Sequence, residues 1–301
     1  MELWIPITLF AAFVQNIRSA MQKHLKSVMG TTGATFVRFG FGVPFALGFV
    51  AILHFAFDLS LPSLHATYFG WVVLGGLAQI TAQALLVSLF SHRNFAVGTA
   101  YSRTEPAQAA LFGLLFLGEG VGLGIIVAIA ISVFGVMLIS VARTPFSWSS
   151  LVTTLGSRNA LVGLGSGTAF GISAVSYRAA SLSLDHPSAF MAAAVTLACT
   201  ILFQTAIMLI WMRLREPAEL ARVRAAWRPA LIVGIAGATA SFGWFTAMTL
   251  QQAAYVKVLA QVEMLFTFAS SVFIFKEHIN RTEIAGCILV VVGVVALVLF
   301  A

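Results

Sequence analysis

The sequence predicts an all-α membrane protein: ten transmembrane helices in two inverted five-helix repeats. Three observations carry this. Of 301 residues, 60% are hydrophobic and 9% charged, whereas soluble domains carry roughly 25% charged residues. The mean hydropathy is +0.98, and the chain divides almost completely into apolar runs of the roughly 20 residues that a bilayer span needs. The halves also match each other at a constant offset of 158 residues (263 − 105 and 277 − 119). No stretch is left for a sizeable soluble domain.

The runs follow in order. Leu3–Leu25 begins after Glu2, and its first basic residue, Arg18, lies inside it. A signal peptide opens with a basic segment, so this run reads as a retained span. Thr32–Phe55 carries Arg38 near its basic-loop end, where an anchoring role is expected. Tyr68–Phe90 contains GLAQITA, and Asn94–Leu117 contains YSRTEP, with Tyr101, Arg103, Glu105 and Pro106 in six residues. A proline inside a helix removes a backbone donor and bends the rod, so Pro106 is expected to be a hinge. Val121–Val141 is glycine-bearing.

The second half repeats the plan. Asn159–Leu182 holds Gly163, Gly167 and Gly171, a small-residue stripe that permits close helix approach. Pro187–Met212 follows, then the loop RLREPAELARVRAAWR. Its Leu220, Val223 and Trp227 recur at helical spacing among arginines, as in a short helix lying on a membrane surface. Pro229–Leu250 carries SFGWFT with Trp244, a ring able to stack on a substrate or face lipid. Ala254–Phe275 carries Lys257, Gln261 and Glu263, and Thr282–Phe300 closes the chain. Cys199 and Cys287 both sit in apolar runs and read as small packing residues.

The repeat is clearest from the third run to the fifth. GLAQITA (Gly76–Ala82) meets GIAGATA (Gly234–Ala240), FGV (Phe134–Val136) meets VGV (Val292–Val294), Glu105 meets Glu263, and Glu119 meets Glu277. The domain reading is therefore residues 1–142 as a first repeat, 143–158 as a connecting loop and 159–301 as a second repeat. Five spans is an odd number, so the second repeat enters the membrane upside down. Loop charges agree. Lys23, Lys26 and Arg93 lie in the first and third loops. Arg213, Arg215, Arg222, Arg224, Arg228, Lys276 and Arg281 lie in the seventh and ninth. All fall on one side, as an inverted repeat requires. The positive-inside rule makes that side cytoplasmic and the termini external. The formal charge of +7 is read as contact with membrane lipids rather than with nucleic acid.

A charge at mid-bilayer costs about 2.5–3.5 kcal/mol on insertion scales, so the intramembrane polar residues are functional candidates. Glu105 and Glu263 could form structural ion pairs, for example Glu105 with Arg18 or Arg178, carry a proton, or hold a substrate amine. Lys257 and Gln261 share a helix face, as do their counterparts Thr99 and Arg103; Tyr101 and Glu105 form a neighbouring stripe. Arg18, Arg103 and Lys257 are candidates for holding an anionic group. Glu119 and Glu277 read as caps of the helices that follow them.

The paired five-span halves, the arginine of TFVRFGFGVP, the FLGE and FKE ends of the fourth and ninth spans and the glycine-bearing fifth and tenth spans resemble the EamA-type branch of the drug/metabolite transporter superfamily. The resemblance implies a monomer that works by alternating access, and a monomer or weak dimer is expected here. It implies a cavity lined by spans 1, 3, 4, 6, 8 and 9, and cytoplasmic termini, against the loop charges.

The function expected is a secondary active transporter in the cell (inner) membrane: a proton-coupled exporter of a small charged metabolite such as an amino acid or related carboxylate. The alternative is a facilitative carrier or channel for an organic anion or phosphorylated metabolite. No HExxH, GxSxG or Cys/His cluster is present, so an enzyme, a metal or a cofactor is not expected.

Overall fold

The computed structural model describes residues 2–25, 28–89, 100–141, 158–273 and 281–300. Thirteen helices are defined among them: α1 Trp4–Leu25, α2 Thr31–Gly40, α3 Val43–Phe55, α4 Ala66–Leu89, α5 Glu105–Leu117, α6 Leu123–Val141, α7 Arg158–Ser183, α8 Ala189–Arg215, α9 Pro217–Ala225, α10 Trp227–Leu250, α11 Ala253–Leu259, α12 Val262–Phe273 and α13 Arg281–Phe300. Seven helical segments among the described residues are long and apolar enough to cross a membrane. The expected second span is two helices: Pro44, in the first turn of α3, has no N–H to continue the ladder, and the chain turns at Phe41–Gly42. The fourth and ninth spans are also interrupted.

The helices form two compact units, Met1–Leu77 with Ser176–Gln251, and Ala78–Val175 with Gln252–Ala301. Each unit therefore takes helices from both halves of the sequence, and the division falls inside α4 and α7.

In the first unit, α1 lies along α10. A Cβ on Gly243 would come 2.9 Å from Ala11 Cβ, Trp244 Nε1 donates to Gln15 Oε1 at 2.9 Å, and Gly237 faces the Arg18 side chain. Residue numbers rise along one helix as they fall along the other, so the two run antiparallel. Tyr68 and Val72 of α4 meet Ala180 of α7 and Met191, Ala192 and Val195 of α8 in a buried apolar cluster. Tyr177 donates to the Gly75 carbonyl at 3.0 Å, and its ring stacks on Phe245 at 4.4 Å.

A short helix, α9, forms where the loop pattern predicts one. Its Glu219 is buried and accepts the Gly30 N–H at 2.8 Å, at the start of α2. A carboxylate there satisfies an unpaired donor and meets the positive end of the helix dipole. Gly30 and Gly33 make room for it: a Cβ on either would fall 2.9 or 2.5 Å from a Glu219 oxygen.

In the second unit, α6 and α13 pack most extensively. A Cβ on Gly135 would lie 2.8 Å from both the Gly286 carbonyl and the Val290 nitrogen, and one on Gly293 would lie 2.8 Å from the Ser132 nitrogen. With no hydrophobic drive between helices in lipid, such close backbone approach supplies the attraction. Gly135 and Gly293 are repeat counterparts, as are Ser132 and Val290. Gly135 therefore meets the counterpart of Ser132, while its own counterpart meets Ser132. Such reciprocal contacts mark a two-fold relation, and the register again runs antiparallel. α5 ends at Gly118, whose φ of +68° needs glycine, and the Glu119 N–H returns to the Gly113 carbonyl at 3.1 Å. The Glu119 backbone thus helps to close the helix before it. Glu277 lies outside the described residues.

Candidate functional site

The second unit holds the interrupted fourth and ninth spans. In the fourth, Ala100–Ser102 is helical, Arg103 and Thr104 form a turn, and α5 starts afresh at Glu105. The Arg103 N–H donates to the Ala100 carbonyl at 3.1 Å and that of Thr104 to Tyr101 at 3.2 Å, three residues back rather than four. Pro106 therefore occupies the first turn of a new helix, where its missing N–H costs nothing. It does not bend a continuous rod. Thr104 Oγ1 donates to the Tyr101 carbonyl at 2.7 Å and accepts from Gln108 Nε2 at 2.7 Å, which ties the turn to α5.

The ninth span breaks almost in register. α11 ends at Leu259, Ala260 and Gln261 turn, and α12 starts at Val262 with Glu263 in its first turn. Met264, the counterpart of Pro106, has an N–H, yet donates it three residues back to Gln261 at 3.0 Å. The two spans are thus broken alike, although only the fourth carries a proline at this place.

Both acids consequently begin a helix, where unpaired N–H groups give a positive field. Lys257 lies in the last turn of α11, the end that favours a cation. Because α5 and α11 pack together, these two ends meet. Lys257 Nζ lies 2.6 Å from Glu105 Oε1, each side chain about one-fifth exposed (22% and 21%). The partner foreseen for Glu105 as a structural pair, Arg18 or Arg178, is replaced here by Lys257. Around the breaks, Tyr101 and Gln261 are buried, and Arg103 and Glu263 are half-buried. The small-residue stripe of α7 fits this turn. A Cβ on Gly167 would sit 3.0 Å from the Ser102 carbonyl, and one on Gly171 would sit 3.2 Å from the Ala109 nitrogen.

Two predicted site residues belong to the first unit. Arg18 is buried, and its Nη2 donates to Ser19 Oγ at 3.4 Å. Its Cδ lies beside Gly237, as does Cγ of Arg38, whose guanidinium covers the Phe39 ring at 5.2 Å. Trp244 uses its N–H on Gln15, while its neighbours Phe242 and Phe245 stack on Phe49 and Tyr177. SFGWFT is thus largely spent on packing. Thr99, Arg93 and Lys276 lie outside the described residues.

The sequence reading misses the work of Arg178. Its Nη1 donates to the carbonyls of Met248 and Gln251, each at 2.7 Å, and of Thr249 at 3.3 Å. It closes the C-terminus of α10, where a cation offsets the dipole. Composition alone does not signal this, because the acceptors are backbone atoms.

The EamA-like transporter family model matches residues 2–141 and again 158–299. The chain belongs to the EamA-like transporter family. It is therefore a multi-pass membrane transporter of the drug/metabolite superfamily, built from two copies of one family unit. Its fold is that of a crystal structure described only as "Crystal structure of protein", with a TM-score of 0.74, 16% identity, and coverage of 100% of this chain and 97% of the other. In all, 28 solved chains match. No curated protein sequence matches.

Proposed function

We propose that this EamA-like protein is a secondary active exporter of the inner membrane, with ten spans in two inverted repeats of residues 1–142 and 159–301. Its substrate is a small charged metabolite, an amino acid or related carboxylate, moved by alternating access with proton coupling by a monomer or weak dimer. The antiparallel, reciprocal packing of α6 on its counterpart α13 supports the inversion.

The Glu105–Lys257 pair carries the substrate reading. Ionisable residues within a span are candidate functional sites by default, and here two of them pair at two helix ends. The two charges neutralise each other when no substrate is bound. A zwitterion offers each a replacement: its ammonium for Glu105, and its carboxylate for Lys257 and the helix N-terminus beside it. Gln261, Tyr101 and Arg103 lie at the same breaks and supply further polar contacts. Glu263, equivalent in register, takes the coupling proton.

Counterflow in proteoliposomes tests this, with Glu105→Gln and Glu263→Gln compared across pH. We expect E105Q to lose exchange of amino acids and E263Q to lose the pH dependence. Full pH-dependent exchange in both variants would refute the assignment.

A further inference from the structure

We propose that α9 and the helix ends flanking it form a binding site for anionic phospholipid headgroups. The segment from Trp211 to Arg228 holds five arginines and two glutamates. The structure sorts them. Glu216 accepts from Thr32 Oγ1 at 3.1 Å, and Glu219 turns inward to the Gly30 N–H at 2.8 Å. All five arginines are exposed. The outward surface is therefore far more positive than the sequence segment itself.

Apolar groups accompany these charges. Trp211 and Trp227 are 53% and 51% exposed, and each lies under an arginine: Arg215 at 5.9 Å and Arg228 at 5.5 Å from the ring centroids. Tryptophan beside a cation at a span end suits the headgroup level, where one side is apolar and the other wet. A soluble anion would need the charges and not the rings. A soluble protein partner would need a rim of both signs, whereas Glu219 is buried and Glu216 is half-buried and engaged by Thr32.

The repeat supplies a second argument. The loop equivalent to α9 in the first half, residues 56–65, contains no Lys or Arg and no helix. The duplicated fold therefore does not require α9. Arg222 also contacts Glu219, so a phosphate drawn to Arg222 bears on the carboxylate that holds the start of α2.

The test uses the full-length protein in nanodiscs of phosphatidylcholine alone or mixed with phosphatidylglycerol. Readouts are the thermal midpoint and the lipids retained in native mass spectrometry. Three proteins are compared: wild type, R222Q/R228Q, and the charge-matched control R158Q/R281Q, whose exposed arginines lie outside the segment from Trp211 to Arg228. We expect phosphatidylglycerol to raise the midpoint of wild type and control, and R222Q/R228Q to retain it about thirtyfold less well, given the contribution of each surface cation. Equal retention by all three proteins would overturn the proposal, because any basic surface would then suffice. An equal rise with inorganic phosphate in phosphatidylcholine discs would overturn it too, by making the ligand a soluble anion. Should R222Q/R228Q unfold, W227L serves in its place, with reduced retention expected and unchanged retention counting against the site.

Discussion

Neutralising Lys257 and Glu105 singly and together tests the central contact of the site. At 2.6 Å and an effective dielectric of about 20, the direct attraction is about 6 kcal/mol. Desolvation and the ordering of a long lysine side chain oppose it, and both groups keep some water. A net coupling of about 1–3 kcal/mol is therefore expected between residues in such contact. Lys257→Met alone leaves Glu105 without its cation and should cost about 2–4 kcal/mol, somewhat below the cost for a fully buried pair. Glu105→Gln should cost less, because Lys257 can extend toward the membrane surface. The double variant E105Q/K257M should be more stable than the sum of the two losses predicts. Reversible unfolding in mixed micelles, followed by circular dichroism, gives the three free energies. Additive losses, with a coupling below about 0.5 kcal/mol, would show that the pair does not form in the folded protein. The exchange of partners with a zwitterion would then lose its basis.

Other outcomes follow from particular atoms. Gly135→Ala should destabilise by about 1–3 kcal/mol, since its Cβ would press on backbone atoms of α13 that cannot yield; Gly48→Ala, with nothing within 4 Å, should be neutral or stabilising by up to about 1 kcal/mol. Comparable melting temperatures for the two would remove the close α6–α13 approach. Arg178→Met should cost about 2–4 kcal/mol by orphaning the carbonyls that end α10, and amide exchange should rise first near Met248–Gln251. Pro106→Ala should leave the Glu105–Lys257 coupling unchanged in the same double-variant cycle, and a coupling that vanished would make the proline responsible for the break.

Much of the architecture is legible in the sequence because membrane spans are written in composition. The apolar runs from Tyr68, Val121, Asn159, Pro187, Pro229 and Thr282 correspond to continuous helices, as a solvent without hydrogen-bonding partners demands. The amphipathic pattern of Leu220 and Val223 likewise marks α9. The interruptions are less legible. Pro106 marks the fourth span as bent rather than broken, Thr32–Phe55 reads as a single run despite Pro44, and nothing in LAQVEM distinguishes a broken helix from an intact one. Nor does the pattern show that the spatial units combine helices from both halves. That depends on which faces meet, and glycine, alanine and leucine faces look alike in one dimension. Within the site, Glu105 and Lys257 are both legible as intramembrane charges. Their pairing is not, because it follows from two helix ends meeting. Arg18 and Arg178 look equally eligible in sequence, and only backbone geometry assigns Arg178 to the end of α10.

The cause of the second break lies in what the two halves share. Proline is not shared: position 264 is methionine, and its N–H is free to continue an α-helix. The glutamate is shared. In the first turn of a helix a carboxylate is stabilised by about 0.3–1 kcal/mol, and by up to about 2 when partly buried. In the middle of an intact span it would face paired amides that offer it no donor. Starting a new helix at the acid thus lowers the cost of placing a charge at that depth, and the tightened three-residue bonds before it keep the preceding carbonyls engaged. Pro106 then reinforces, in one half, a break that the acid already favours in both. The same logic sets Lys257 at a helix C-terminus, so each charge is met by a dipole of opposite sign before the two meet each other. A span built this way exposes donors and acceptors to a ligand without leaving them bare to lipid, and an unbroken helix of the same composition offers neither.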